Sequence, residues 1–379
     1  MLEPAYPAAR KVAADVQAHF ARHLSAAREQ GKRGLAPQPE EQDVEEIIDA
    51  AFWASLRREE GQAPKISLAF LPPEQAGQPL KFEQRLPLAP AALTRLAPAV
   101  ERPGIHLGVW RYDGELRVWG TTRTIPGLCF VLEVVQPGLL VIKYRRGWES
   151  AKFVNIAVLE GDQIKVVDER GSSLPDCPQL LTALLNFDAA SSRSGSVNVL
   201  VQLAVSMRAH GKGGLLLVVP NATEEWRESI VRPIYYSVVP PFLELAELMR
   251  RDEQERGQPM WQESLIDAVD AIAGLTAVDG ATVISEQYEL LAFGAKIARR
   301  KGSPQVEQVI VTEPLVGAGA SALNPTQLGG TRHLSAAQFV HDQRDALALV
   351  ASQDGRFTVF AWSPCDSVVH AHRVEALLL

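Results

Sequence analysis

The sequence predicts an α/β protein. Its C-terminal half, about 187–379, reads as a mixed-sheet α/β sandwich, and an α+β, β-rich module precedes it. Three observations predict this. The first sixty residues carry apolar side chains at helical spacing. A middle stretch is built of short apolar runs broken by turn dipeptides. Beyond 187, helical and strand patterns alternate.

In order along the chain, Val12, Val16, Phe20 and Leu24 recur every fourth position, so 5–31 is expected to be helical. Val44, Ile47, Ile48 and Phe52 mark a second helix over 42–60. Its acidic start, Glu40 to Asp43, suits the positive end of a helix dipole. These two form the N-terminal helical segment, 1–62. The β-rich module, 63–186, is expected to hold strands at 65–71, 106–110, 115–119, 128–135, 138–144, 153–159 and 163–167. Asp113-Gly114 and Glu160-Gly161-Asp162 stand where hairpin turns belong. Arg145 to Trp148 forms a basic, aromatic tip, read first as a solvated turn. A helix over 180–185 and a loop at 191–196 make the junction.

In the last region, Val197, Leu200, Val201, Ala204 and Val205 form one helix face. The run Gly213 to Pro220 suits a strand buried on both sides. Helices are expected at 242–253, 261–273 and 335–341. Strands are expected at 281–285, 290–293, 306–312, 345–351 and 356–361.

Composition narrows the function classes. Of 379 residues, 46% are hydrophobic and 22% charged, which describes a globular chain. The net charge of −7 argues against a broad nucleic-acid surface, although a small anionic nucleotide needs only a few local donors. No apolar run approaches the ~20 residues of a membrane span. Met1 to Pro4 does not begin a secretory signal, and the three cysteines show no CxxC spacing, so a reducing, cytoplasmic location is expected. No partner nucleic acid or membrane is expected.

Two polar pieces stand out between apolar flanks. In Asp279-Gly280-Ala281 a carboxylate precedes small residues at the start of an apolar run. It can hold a divalent cation or accept a proton from a hydroxyl, though Asp-Gly is equally a turn dipeptide. In Gly330-Thr331-Arg332-His333 a hydroxyl, a planar guanidinium and an imidazole follow a double glycine, and Ser335 is expected to open a helix whose free N–H groups favour anions. His370 and His372 alternate along a possible last strand. Two metal ligands are one reading and a structural pair the other.

The two pieces, about fifty residues apart, resemble the Asp-Gly-Ala and Gly-Thr-Arg-His-Arg motifs of the diadenylate cyclase domain. The likeness extends back through 209–220 and forward through Asp345 to Ser352, covering about 190–379. The resemblance implies an α/β sandwich of diadenylate cyclase type, preceded by a sensor module. It implies a nucleotidyltransferase that condenses two ATP into cyclic di-AMP and pyrophosphate, a divalent metal (Mg or Mn), and a homodimer or higher homo-oligomer whose active sites face each other. Asp279 would be catalytic and the metal ligand, with Arg332 and His333 also catalytic. Gly280, Ala281, Gly330, Thr331 and Ser352 would bind the nucleotide.

Two positions depart from the family's pattern. Leu334 replaces a second arginine, a phosphate contact worth on the order of 1.5–3 kcal/mol. Gln353 stands where a glutamate belongs and is a poor magnesium ligand. The alternative reading is therefore a nucleotide-binding sensor or scaffold that has lost turnover. Arg193, Arg208, Arg299, Arg300 and Lys301 are the candidates for a replacement charge.

Overall fold

The computed structural model describes residues 5–145, 153–168, 199–221, 223–256 and 258–379. It divides into two units, 1–167 and 168–378. The basic tip beyond Arg145, the junction helix at 180–185, the boundary expected at 186/187, Cys177 and Arg193 lie outside the described residues.

In the first unit, helices α1 (Pro7–Glu29) and α2 (Glu41–Ser55) pack on a sheet and share one core with it. Phe20, Leu24, Ile47 and Ile48 meet Phe130 and Leu132 there. The acidic start of α2 does more than answer a dipole. Glu40 and Asp43 form a capping box, in which the Glu40 backbone N–H donates to Asp43 Oδ2 at 3.0 Å. Asp43 also accepts from Arg111 Nε at 2.8 Å, which compensates its burial. Helix α2 ends five residues earlier than expected, where Ser55 Oγ turns back to donate to the Phe52 carbonyl.

The sheet has eight strands: β1 (Ile66–Phe70), β2 (Leu80–Pro87), β3 (His106–Tyr112), β4 (Glu115–Thr122), β5 (Phe130–Gln136), β6 (Leu139–Arg145), β7 (Phe153–Glu160) and β8 (Gln163–Val166). Their order is β2-β4-β3-β1-β5-β6-β7-β8, and β1 and β3 run parallel. Strand β2 and helix α3 (Pro90–Val100) were not expected from the sequence. Both elements contain proline: Pro90 sits at the first turn of a helix, and β2, which ends at Pro87, lies at a sheet edge, places that tolerate it.

The second unit is a mixed-sheet α/β sandwich, as expected. Nine strands take the order β10-β12-β11-β9-β15-β16-β17-β13-β14. They are β9 (Gly214–Val219), β10 (Tyr236–Phe242), β11 (Ala281–Ser285), β12 (Leu290–Ala295), β13 (Val309–Thr312), β14 (Ser321–Leu323), β15 (Leu347–Ala351), β16 (Phe357–Ser363) and β17 (Val368–Arg373). The apolar run of β9 is explained by burial on both faces. Leu216 and Val218 face a core with helices α4 (Val199–Ala209), α5 (Glu244–Arg250) and α7 (Pro259–Leu275). A short helix, α6 (Glu253–Arg256), precedes α7. Leu215, Leu217 and Val219 face the opposite core, which holds Phe339 and Val340 of α8 (Thr331–Asp342).

Three sequence expectations are corrected here. Residue 242 ends an edge strand, β10, and the helix begins at Glu244; Pro240 and Pro241 had masked the strand. The strand expected from 306 begins at Val309, and the Val306 N–H instead donates to Gln338 Oε1 at 3.0 Å. Helix α8 begins at Thr331, four residues before Ser335, with Gly330 as its N-cap. The first turn thus contains the Thr-Arg-His trio itself. No helix among the described residues is long and apolar enough to cross a membrane.

Candidate functional site

Strand directions bring the two polar pieces together. Strand β9 runs parallel to β11 and antiparallel to β15, and Gly214 pairs with Ala351. The beginnings of β9 and β11 therefore share one end of the sheet with the end of β15. Strand β12 returns antiparallel to β11, with Ala281 opposite Ala295, so Lys296 arrives at the same end.

Asp279 stands at the corner between α7 and β11. The chain winds there through a tight turn, in which the Ala277 and Val278 N–H groups donate back to Gly274 and Leu275. The Asp279 side chain is 92% exposed and ion-paired with Lys296 through Oδ2. Its carboxyl is held below the usual range, first by the hydrogen bond and charge of Lys296 and then by the charge of Arg332. Asp279 and Arg332 thus lie within one electrostatic neighbourhood.

Arg332 reaches across the start of β9. A Cβ added to Gly213 would stand 2.8 Å from one guanidinium nitrogen, 3.3 Å from the Ala351 carbonyl oxygen and 3.3 Å from Gln353 Cγ. Gly213 has φ of 72°, a conformation that favours glycine. Gln353 donates from Nε2 to the Lys212 carbonyl at 3.4 Å. Ser352, half-buried, opens the turn from β15 to β16, and its N–H donates to the Arg356 carbonyl at 2.9 Å.

Gly280 has φ of 121°, and a Cβ there would lie 2.4 Å from the backbone carbon of Gly294. Its lack of a side chain admits strand β12, where the sequence suggested a ligand. Ala281 is 1% exposed with its methyl in the core, so only its backbone can border a ligand. Gly330 and Thr331 are exposed at the start of α8, where the first N–H groups lack intrahelical acceptors up to His333, whose N–H donates to the Gly330 carbonyl at 3.0 Å.

His333 parts company with Arg332. Consecutive helical residues diverge by about 100°, and His333 is 4% exposed, with its ring against Gly329 and edge-on to Phe360. Burial lowers its pKa, as do the charges of Arg373, Arg356 and Arg332, while Asp354 opposes them; it is neutral. Leu334 is partly buried against the core of α8.

Several site residues were not singled out from the sequence: Lys296, Gly213, His210 and Thr276. Thr276 donates through Oγ1 to the Ala273 carbonyl at 2.7 Å, so its contact with His210 Nε2 at 3.2 Å requires the imidazole to donate. His210 Nδ1 accepts from the Lys212 N–H at 3.1 Å. One neutral tautomer satisfies both bonds, and burial, Lys212 and Arg332 keep its pKa low. Only a lone cation after an apolar strand pointed to Lys296.

Two of the other candidate charges, Arg208 and Arg300, have structural duties. Arg208 donates to the carbonyls of Gly355 and Leu378, and Arg300 pairs with Glu228 at 2.8 Å. Asp354 pairs with Arg356 at 3.5 Å, and Glu313 with Arg373 at 3.3 Å. His370 and His372 do share a face, with ring centroids 5.6 Å apart. His372 Nδ1 bonds Thr312 Oγ1 at 2.7 Å, and His370 Nε2 bonds Asp366 at 2.9 Å. No group of three His, Cys, Asp or Glu able to hold a metal occurs among the described residues. A cavity of about 520 Å³ in this unit is lined by Arg227, Arg232, Pro233, Ile234 and Ser237, none of them a residue expected at the site.

Comparison with known proteins adds the following. Residues 33–123 match the family described as "Probable sensor domain DACNV". No curated protein matches. Among solved structures, the chain is similar to a hypothetical membrane spanning protein from Bacillus cereus, with 16% identity, 51% of this chain and 71% of that chain covered, and a TM-score of 0.28. It is also similar to a double mutant of DacA from Staphylococcus aureus, with 15% identity, 46% and 83% covered, and a TM-score of 0.23. Scores this low do not establish a shared fold. The first unit therefore carries a segment, from just past α1 through β4, that matches a sensor-domain family.

Proposed function

We propose that the second unit is a diadenylate cyclase that joins two ATP into cyclic di-AMP with release of two pyrophosphates, under the influence of the sensor module. The observation that carries this reading is that Asp279 and Arg332, from motifs about fifty residues apart, share one electrostatic neighbourhood at one sheet end. Arg332, Thr331 and the free N–H groups of the first α8 turn would hold the phosphates and offset charge on the leaving pyrophosphate. Gly280 and the backbone of Ala281 would border the nucleoside, with Gly330 and Ser352 at the rim. His333, being buried, is given a positioning role beneath the helix start.

Asp279 is the one carboxylate here that would hold a magnesium or manganese ion, once Lys296 releases it, with nucleotide phosphates as further oxygen ligands. Such an ion would lower the pKa of the attacking 3′-hydroxyl and screen the phosphates. Each ATP acts as both nucleophile and electrophile, so two subunits must face each other to close the ring.

The second reading, a nucleotide-binding protein without turnover, is favoured by the Lys296 ion pair on Asp279 and by Leu334 packing into the core. Mass spectrometry of products from ATP and manganese separates the two. A cyclic dinucleotide from wild type and none from Asp279→Asn supports the cyclase. ATP binding by calorimetry with no product supports the scaffold, and no binding at all removes both.

A further inference from the structure

Edge strand β2 does not follow β4 evenly. Leu80 and Lys81 lie opposite Thr121 and Gly120, and Leu86 lies opposite Val118. Residues 82–85 therefore arch away between two closely spaced partners, a bulge larger than a single inserted residue. Beside the arch lies a cavity of about 560 Å³. This is within the ~300–1,000 Å³ range of small-molecule sites.

The lining is built as well as charged. Trp119 is 2% exposed and is fixed by its Nε1–H donating to the Leu71 carbonyl at 2.8 Å. Tyr112 forms a wall, and the Arg85 guanidinium lies 3.8 Å above its ring centre. Glu115 and Arg117 neutralise each other at 2.5 Å. What remains is Lys81 and Arg85 as cations, and Glu74, Glu83 and Asp113 as anions. Lys81, Glu83 and Asp113 have no ion pair or side-chain hydrogen bond among the described residues.

Charged residues on an edge strand also deter strand pairing. That purpose needs neither a cavity nor an aromatic floor locked by a hydrogen bond. The bulge likewise disfavours an added peptide strand, which requires a regular ladder. Charges of both signs, unspent and facing one polar cavity, suit a ligand that carries both signs itself.

We propose that the β2 arch binds a small zwitterion of the amino-acid class. Its carboxylate meets Lys81 and Arg85, and its ammonium meets Glu83 and Asp113. The site lies within the segment that matches the sensor-domain family and is independent of nucleotide chemistry in the second unit.

The test uses the full chain without nucleotide. The proteinogenic amino acids are the probes, each compared with its α-amide and its deaminated analogue by thermal shift and calorimetry. At least one amino acid is expected to bind saturably and raise Tm, and both analogues to fail. Lys81→Gln and Glu83→Gln, at exposed positions, should each weaken Kd about tenfold while leaving the ligand-free Tm unchanged. If no amino acid binds saturably, or binding is indifferent to both substitutions, the charges only guard the edge and the proposal is overturned. Because no ATP is present, this result stands apart from that of the product assay.

Discussion

Arg332 lies against Gly213, so that a methyl group at Gly213 would stand 2.8 Å from a guanidinium nitrogen. The contact joins the first turn of α8 to the start of β9, two segments more than a hundred residues apart. Gly213→Ala is expected to cost about 1–2 kcal/mol in urea melts, because φ of 72° disfavours a side chain. It should also weaken ATP binding about tenfold by displacing Arg332. Gly211→Ala is the control: its φ is 64°, with nothing within 4 Å of the added carbon. Equal stability loss with unchanged binding there would isolate the Arg332 contact. Equal binding loss in both would remove it.

Lys296 and Arg332 both pull the Asp279 carboxyl below its usual range, Lys296 the more. A depressed carboxylate contributes stability above its unfolded pKa and loses it as pH falls through the folded value. Asp279 is exposed, so little stability is at stake and the titration itself is the readout. Lys296→Met should move the Asp279 titration, followed by carboxyl NMR, up toward the ordinary range. Arg332→Met should add a smaller upward step. An Asp279 titration indifferent to Arg332→Met would mean that the two motifs do not share a site.

Buried histidines set the acid limit of each unit. Burial, with help from Lys143 and Arg145, lowers His106 to about 4, and its Nδ1 bonds Ser67 Oγ at 2.7 Å. Burial, with His370 adjoining, lowers His372 to about 3. A histidine depressed in the fold stabilises it above the unfolded pKa of about 6.5, and this is lost as pH falls through the folded value. Stability should therefore decline between about pH 6.5 and 4 by an amount on the order of 3 kcal/mol for His106. Urea melts across that range should show the slope in wild type and a shallower one in His106→Gln.

Phe339 anchors α8 to the sheet and is fully buried in the core with Leu217, Val350 and Phe360. Phe339→Ala is expected to cost about 3–5 kcal/mol in denaturant melts. The same change should weaken nucleotide binding, since it loosens the helix whose first turn carries Thr331 and Arg332. A destabilised protein with undiminished ATP affinity would separate the site from this helix.

Local patterning made much of the fold legible. The four-residue spacing of Val12, Val16, Phe20 and Leu24 marked α1, and the unbroken apolar run of 215–219 marked β9 as buried on both faces. Strands β2 and β10 were hidden because edge strands bury little and tolerate proline, so neither alternation nor composition distinguishes them from loops. The start of α8 was misplaced because Gly329-Gly330 read as a loop leading to Ser335, whereas Gly330 is itself the N-cap. Gly280 was legible as a small residue, but not its reason, which is the close passage of β12.

By itself, the sequence determined the helices marked by four-residue apolar spacing and the buried strands, though not α3 or the edge strands, and it placed Asp279 and Arg332 near the ends of such segments. Period and apolarity are properties of neighbours along the chain, and they survive without a fold. Tertiary structure alone decided that the beginnings of β9 and β11, the end of β15 and Lys296 gather at one sheet end. It alone decided that Arg332 faces that place while His333 turns inward. Strand pairing sets which distant junctions meet, and the helical turn sets which of two adjacent side chains reaches them; neither is written in the residues around them.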